Sequence, residues 1–317
     1  MIGAGAIGGT IGGRLAEAGR DVVLVARGAH LAALRESGLT LDEPGRSRTL
    51  RLPAAAGVDE IEWQDGDVAL LCTKTQDTVP LLDALRALAP DVPVVCAQNG
   101  VANERFAAER FSSVQAMCVV LPAEHLRPGR VVAYSTPVPG ILDLGRYPDG
   151  VDTITEGIAA DLTAAGFSSR PDPAIMRAKY RKLLLNLANA AEAACGPDDP
   201  GLRDLAGAAR DEGEKCLAAA GIDVQSREEE RARRDALITE RPVDGAARQG
   251  GSTWQSLRRG AGSVEAEFLN GEIVALGRAH EVPTPVNALL LDTVAEMAAG
   301  TEAPGGRDAQ QLLAAVR

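Results

Sequence analysis

"IGAGAIGGTIGGRLAEAG", residues 2–19, decides how the rest of the chain is read. Gly3, Gly5 and Gly8 stand at the GxGxxG spacing, and each glycine has its own physical task. The first makes a tight turn, the second lets a pyrophosphate approach the backbone, and the third lets helix and strand pack closely. The motif opens a helical stretch whose first turn holds Ala6, Ile7 and Gly8, where backbone N–H groups favour an anion. "VVLVARG" (22–28) follows at the spacing of a βαβ unit and reads as the second strand. The local reading is a dinucleotide-binding loop.

The end of that second strand discriminates between dinucleotides. An acidic side chain there takes the ribose 2′-hydroxyl of NAD, but this chain has Val25, Ala26 and Arg27. A guanidinium grips a 2′-phosphate through two hydrogen bonds, so Arg27 points to NADP(H). Only Met1 and Ile2 precede the first glycine, where this fold ordinarily supplies several apolar strand residues. The expectation is a natural start upstream and a first strand cut short.

The pattern continues outward. "VALLC" (68–72), "VVCA" (94–97) and "VQAMCVV" (114–120) read as buried strands with helix-length segments between most of them, the mark of a parallel sheet. "LTLDEPGRSRTLRL" (39–52) reads as strand, turn and strand, and "RVVAYSTPVPGILDLG" (130–145) as an antiparallel edge. After "RPDP" (170–173) strand signals almost cease, and helices are expected over 174–194, 202–219, 226–238, 262–280 and 284–299. The fold class expected is α/β, with a Rossmann-type domain over residues 1–170 and an all-helical domain over 171–317. "RPVDGAARQGGSTW" (241–254) is a glycine-rich loop in the helical half.

Composition narrows the function. A formal net charge of −11 disfavours nucleic acid and anionic membrane, which need an excess of Lys and Arg. No apolar run approaches the roughly 20 residues of a membrane span, so a cytoplasmic protein is expected. His30, His125 and His280 lack metal-ligand spacing, and no metal is expected. The five cysteines are never closer than 21 residues and read as reduced, buried and inert.

In "RKLLLNLANAAEA" (181–193), Lys182, Asn186 and Asn189 are four and then three residues apart, one polar stripe on an apolar helix. Asparagine is a poor helix former, so its repeated use here points to a working amide. With the glycine loop at one end, "CTKTQDT" (72–78) with Lys74, "AQNG" (97–100) with Asn99, "RKLLLNLAN" (181–189) and "STWQSLRRGAGSVEAEFLNGEIV" (252–274) with Ser252, Glu265 and Asn270, the chain resembles the ketopantoate reductase family. The resemblance implies a small-molecule 2-oxo acid as substrate, NADP(H) as cofactor and an active site in a cleft between domains. It implies that Lys182 is the proton donor to the ketone oxygen, and that Glu265 is the carboxylate assisting it. It further implies that Asn99, Asn186 and Ser252 meet substrate, while Lys74, Asn99 and Glu265 lie against the cofactor; Asn189, on the same stripe, is read as a further substrate contact.

Two departures bear on the substrate. A family asparagine commonly stands eight residues after the lysine; here that position is Ala190, and Asn189 comes one place early. The Ser252–Glu265 spacing is one residue longer than in the best-known members, so the site carboxylate is either Glu265 or Glu267. Three readings follow: ketopantoate reduction, reduction of another 2-oxo acid or carbonyl, and NADPH sensing without chemistry. A helical second domain of this kind is compatible with a homodimer.

Overall fold

The computed structural model describes residues 1–248, 250–258, 260 and 264–316. Its strands are β1 (Leu24–Val25), β2 (Leu39–Glu43), β3 (Arg46–Leu50), β4 (Ala54–Ala55), β5 (Ala69–Leu71), β6 (Val94–Cys96), β7 (Val114–Val120), β8 (Ala123–Arg127), β9 (Arg130–Ala133), β10 (Ser135–Pro137), β11 (Ile141–Arg146) and β12 (Ile238–Glu240). The helices are α1 (Ala6–Glu17), α2 (Gly28–Ser37), α3 (Thr78–Leu88), α4 (Ala102–Ala108), α5 (Thr153–Ala164), α6 (Ile175–Asn186), α7 (Ala188–Cys195), α8 (Leu202–Ala219), α9 (Arg227–Leu237), α10 (Ser252–Arg258), α11 (Asn270–Ala279), α12 (Pro285–Ala298) and α13 (Ala309–Ala314). They form two compact units: Met1–Asn99, Asn103–Lys179 and Arg227–Arg248 in the first, and Gly100–Ala102, Tyr180–Ser226 and Gln249–Arg317 in the second.

In the first unit, β5, β6 and β7 run parallel and β11 closes one edge antiparallel to β7. Ile2 bridges in parallel to Leu71 on one side and Val25 on the other, and β1 continues the pairing to β4. Residues alternate between faces as a pleated strand requires. Val95 packs with Ile11 of α1 and Leu162 of α5, while Val94 and Cys96 pack with Leu82 and Leu85 of α3 and Ala107 of α4. Helices therefore cover both faces, which is why the strands are nearly continuous in apolar residues.

The segment read as a single edge, 130–145, divides among three sheets, with β10 in a two-stranded sheet of its own with β12. β9 joins β2 in parallel in a four-stranded sheet ordered β3-β2-β9-β8, and β11 lies on β7. Pro137 and Pro139 lack the N–H a ladder needs, so the chain cannot stay in one sheet between them. A second difference lies in the helical half: α9 and β12 belong to the first unit. Arg233 of α9 forks onto Asp143 of β11 at 2.6 and 2.7 Å, and β12 pairs antiparallel with β10. The run of charged residues in α9 is thus tied down through Arg233.

The second unit is helical. The stretch 174–194 is two helices, α6, whose residues up to Lys179 belong to the first unit, and α7, parted at Leu187, whose carbonyl accepts a bond from Asn270 Nδ2 at 3.4 Å. Glu212 of α8 receives Val286 N–H at 2.8 Å and Asn287 N–H at 2.9 Å, placing a buried carboxylate at the positive end of α12. Of the helix read over 262–280, residues 262 and 263 lie outside the described residues, Glu265–Phe268 is a 3₁₀ turn and α11 follows. The loop over 241–254 ends in α10, and its residue 249 also lies outside the described residues.

None of the five cysteines forms a disulfide among the described residues; Cys96, Cys195 and Cys216 are buried, but Cys72 and Cys118 are only partly so. Burial pushes the thiols of Cys72 and Cys195 up to about 12. Among the described residues no helix is long and apolar enough to cross a membrane.

Candidate active site

The first unit holds the glycine loop. Gly3 N–H and Ala4 N–H both donate to Val25 O, at 3.1 and 2.9 Å, and Gly3 has φ +97°, a left-handed conformation that favours glycine. A Cβ on Gly8 would stand 2.1 Å from the Gly3 carbonyl oxygen, so the third glycine is required by contact of the helix with its own loop. A Cβ on Gly5 would meet nothing within 4 Å. That open side is where the backbone can approach a ligand. Gly5 is the N-cap of α1 without a side-chain capping bond, and no acidic residue lies in the first turn. The loop thus fits a pyrophosphate: helix dipole, bare backbone and clear space coincide. Arg27 is the N-cap residue of α2, two residues past β1, is exposed, and makes no ion pair among the described residues.

Lys74 and Asn99 lie just past the carboxyl ends of β5 and β6, where open α/β sheets bind ligands. A buried polar cluster fixes these two loops together. Gln98 Nε2 donates to Thr78 Oγ1 at 2.8 Å, Thr78 Oγ1 to Asn103 Oδ1 at 2.8 Å, and Asn103 Nδ2 to Thr75 Oγ1 and to the Asn99 carbonyl at 3.2 and 3.1 Å. Lys179, 3% exposed, pairs with the fully buried Glu104 and donates to the Gln98 carbonyl at 3.1 Å. Sequence reasoning missed this cluster. The only signal was Asn99 and Asn103 at helical spacing in "NGVANE" (99–104).

In the second unit Lys182 and Asn186 are half-buried one turn apart on α6, and Ala190 is buried. Asn186 Nδ2 is buried and has no hydrogen-bond partner among the described residues. Such an amide costs stability unless water or a ligand takes its hydrogens. Asn189 is brought to Ser252: its Nδ2 donates to Ser252 Oγ at 3.3 Å. Glu192, one turn further, accepts Gly251 N–H at 2.9 Å. Side chains of α7 therefore hold the loop that carries Ser252. Glu265 is buried, whereas Glu267 is exposed. Asn270 serves the core, donating to Asn287 Oδ1 at 3.0 Å.

A dinucleotide loop in a doubly wound unit, followed by a helical unit with a lysine–asparagine face, defines a nucleotide-dependent oxidoreductase architecture. The chain matches the ketopantoate reductase PanE/ApbA family over residues 1–149 and that family's C-terminal region over residues 174–298, and it belongs to this family of oxidoreductases. It is 30% identical to a 2-dehydropantoate 2-reductase of Halobacterium salinarum over 303 residues, covering 92% of this chain and 96% of that one. Its structure resembles a PanE/ApbA family ketopantoate reductase from Ralstonia eutropha, with a TM-score of 0.78 at 29% identity over 94% of this chain and 97% of that one. The fold is also that of D-mandelate dehydrogenase, solved with NADH and anilino(oxo)acetate: TM-score 0.78 and 22% identity over 94% of this chain and 98% of that one.

Proposed function

We propose that this protein catalyses the NADPH-dependent reduction of 2-dehydropantoate (ketopantoate) to pantoate, a cytoplasmic step towards coenzyme A. The observation that carries the reading is the buried amide of Asn186 without a partner among the described residues, one turn beyond Lys182. It sits in a chain whose relatives carry that activity by name over nearly their whole length.

The reading assigns each group a task. Gly3, Gly5 and the first turn at Ala6, Ile7 and Gly8 hold the pyrophosphate, and Arg27 takes the 2′-phosphate. Lys74 and Asn99, past the strand ends, orient the nicotinamide end. NADPH, when bound, supplies the hydride that the 2-oxo carbon accepts. Charge then develops on the carbonyl oxygen, and the Lys182 ammonium both stabilises it and donates the proton. A buried lysine tends to lose its charge, so a nearby carboxylate keeps it protonated. The burial of Glu265 and exposure of Glu267 favour Glu265 for that task. Asn186 donates to a substrate hydroxyl, and Ser252 to the substrate carboxylate.

A second reading, reduction of a different 2-oxo acid by the same apparatus, is favoured by one observation. Ala190 occupies the family's second asparagine position and is buried, while Asn189 is turned to Ser252. Steady-state turnover over a panel of 2-oxo acids separates the two. Ketopantoate giving the highest kcat/KM upholds the first reading; a higher value for an acid lacking the pantoate hydroxyl overturns it.

A further inference from the structure

His30, on the first turn of α2, is half-buried and uses both ring nitrogens. Gly129 N–H, in the turn between β8 and β9, points at Nδ1 at 2.9 Å. A backbone N–H is always the donor, so Nδ1 is unprotonated and the ring proton sits on Nε2. Nε2 lies 2.8 Å from the carbonyl oxygen of Ala4 and therefore donates to it. The ring also lies against that of His125 of β8, with centroids 4.1 Å apart and the planes tilted by 47°. Burial lowers the pKa of His30, with the Ala4 bond acting the other way, and the neutral tautomer suits both contacts.

Ala4 stands between the first two glycines of the loop. In a planar trans peptide the carbonyl of one residue and the N–H of the next point in opposite directions. Drawing Ala4 C=O back onto His30 therefore turns Gly5 N–H the other way. That N–H donates to no acceptor among the described residues. Gly5 is also the glycine whose absent Cβ leaves open space.

We propose that His30 is a positioning residue for the cofactor: by holding the Ala4 carbonyl it fixes the Ala4–Gly5 peptide so that Gly5 N–H faces the pyrophosphate. This rests on the dinucleotide reading of the loop, and it adds a side chain that the glycine motif does not contain. His30 touches the loop and not the ligand. Its effect falls on cofactor affinity and leaves proton transfer alone.

Two near-isosteric variants separate the two ring nitrogens. The amide of glutamine reaches the position of Nε2 and keeps a donor for Ala4, whereas that of asparagine reaches only Nδ1 and keeps an acceptor for Gly129. NADPH binding to the full chain is titrated by the fluorescence of the reduced nicotinamide, with kcat measured at saturating NADPH alongside. His30→Asn raises the Kd for NADPH roughly three- to tenfold, the loss of one hydrogen bond, while His30→Gln stays within about twofold of the unsubstituted protein. kcat stays within about twofold in both. Thermal unfolding checks that each variant folds; if His30→Asn does not, His30→Met, which also lacks the donor, replaces it with the same expected rise. Equal Kd values for His30→Asn and the unsubstituted protein overturn the proposal, as does equal weakening in His30→Gln and His30→Asn. An unsubstituted protein that binds no NADPH overturns the dinucleotide reading itself, and the proposal with it.

Discussion

The glycine loop of the first unit and the Ser252 loop of the second are held in place by different means. The glycine loop is fixed chiefly by main-chain bonds, Gly3 and Ala4 to Val25 and Cys72 N–H to Ile2 O at 2.8 Å, and by contacts that leave no room for a Cβ at Gly3 or Gly8, with His30 adding a side-chain bond to Ala4 O. The Ser252 loop is fixed by side chains: Asn189 reaches Ser252 and Glu192 reaches Gly251. A backbone-held loop presents a fixed surface to an invariant ligand such as a pyrophosphate. A side-chain-held loop can change its contents from one relative to the next. Cofactor recognition should therefore be brittle in this molecule, and substrate recognition tunable.

The sharpest separation of the two regions is Lys182→Ala. Loss of a general acid should lower kcat by about 10²- to 10⁴-fold while the Kd for NADPH, measured by fluorescence, hardly moves. Unchanged turnover would remove Lys182 from the chemistry. Gly8→Ala tests brittleness, because the added Cβ would stand 2.1 Å from Gly3 O and the loop must yield. Overpacking of this kind costs about 1–3 kcal/mol, read as a lower Tm together with weakened NADPH binding. A variant that binds normally would show the loop to be pliant.

Arg27→Ala should weaken NADPH by roughly 10- to 100-fold and leave NADH nearly unchanged, the cost of a lost charge-assisted contact. Equal weakening of both cofactors would place the arginine elsewhere. The smallest effect belongs to the side-chain-held loop. Asn189→Ala removes one exchangeable bond to Ser252 and should raise the KM for the 2-oxo acid by about three- to tenfold, with NADPH affinity and Tm little altered. A Tm drop as large as that of Gly8→Ala would mean that the two loops do not differ in kind.

The same contrast explains what was legible in the sequence. Backbone geometry is written in glycines at fixed spacing and in strands of period two, so the loop at Gly3–Gly8 and the strands at 68–72, 94–97 and 114–120 were readable in place. The stripe of Lys182, Asn186 and Asn189 was readable because helical spacing makes one face. Its break at Leu187, whose carbonyl faces Asn270 83 residues away, was not. The return of α9 and β12 to the first unit was hidden too. Arg233 finds Asp143 ninety residues back, and a charge run by itself does not say which arginine is the anchor. The buried pair of Lys179 and Glu104 was equally silent, because a lysine three residues before Lys182 looks like an ordinary solvated neighbour.

The proposed reaction is one hydride transfer served by a glycine loop that holds the pyrophosphate, an Arg27 that selects NADPH and a lysine that completes the alcohol. The most direct measurement is cofactor oxidation at 340 nm with ketopantoate, run side by side with NADPH and NADH on the unsubstituted protein. Turnover with ketopantoate and a clear preference for NADPH are expected. Tight NADPH binding with no oxidation, or turnover that favours NADH, would contradict the proposed reaction.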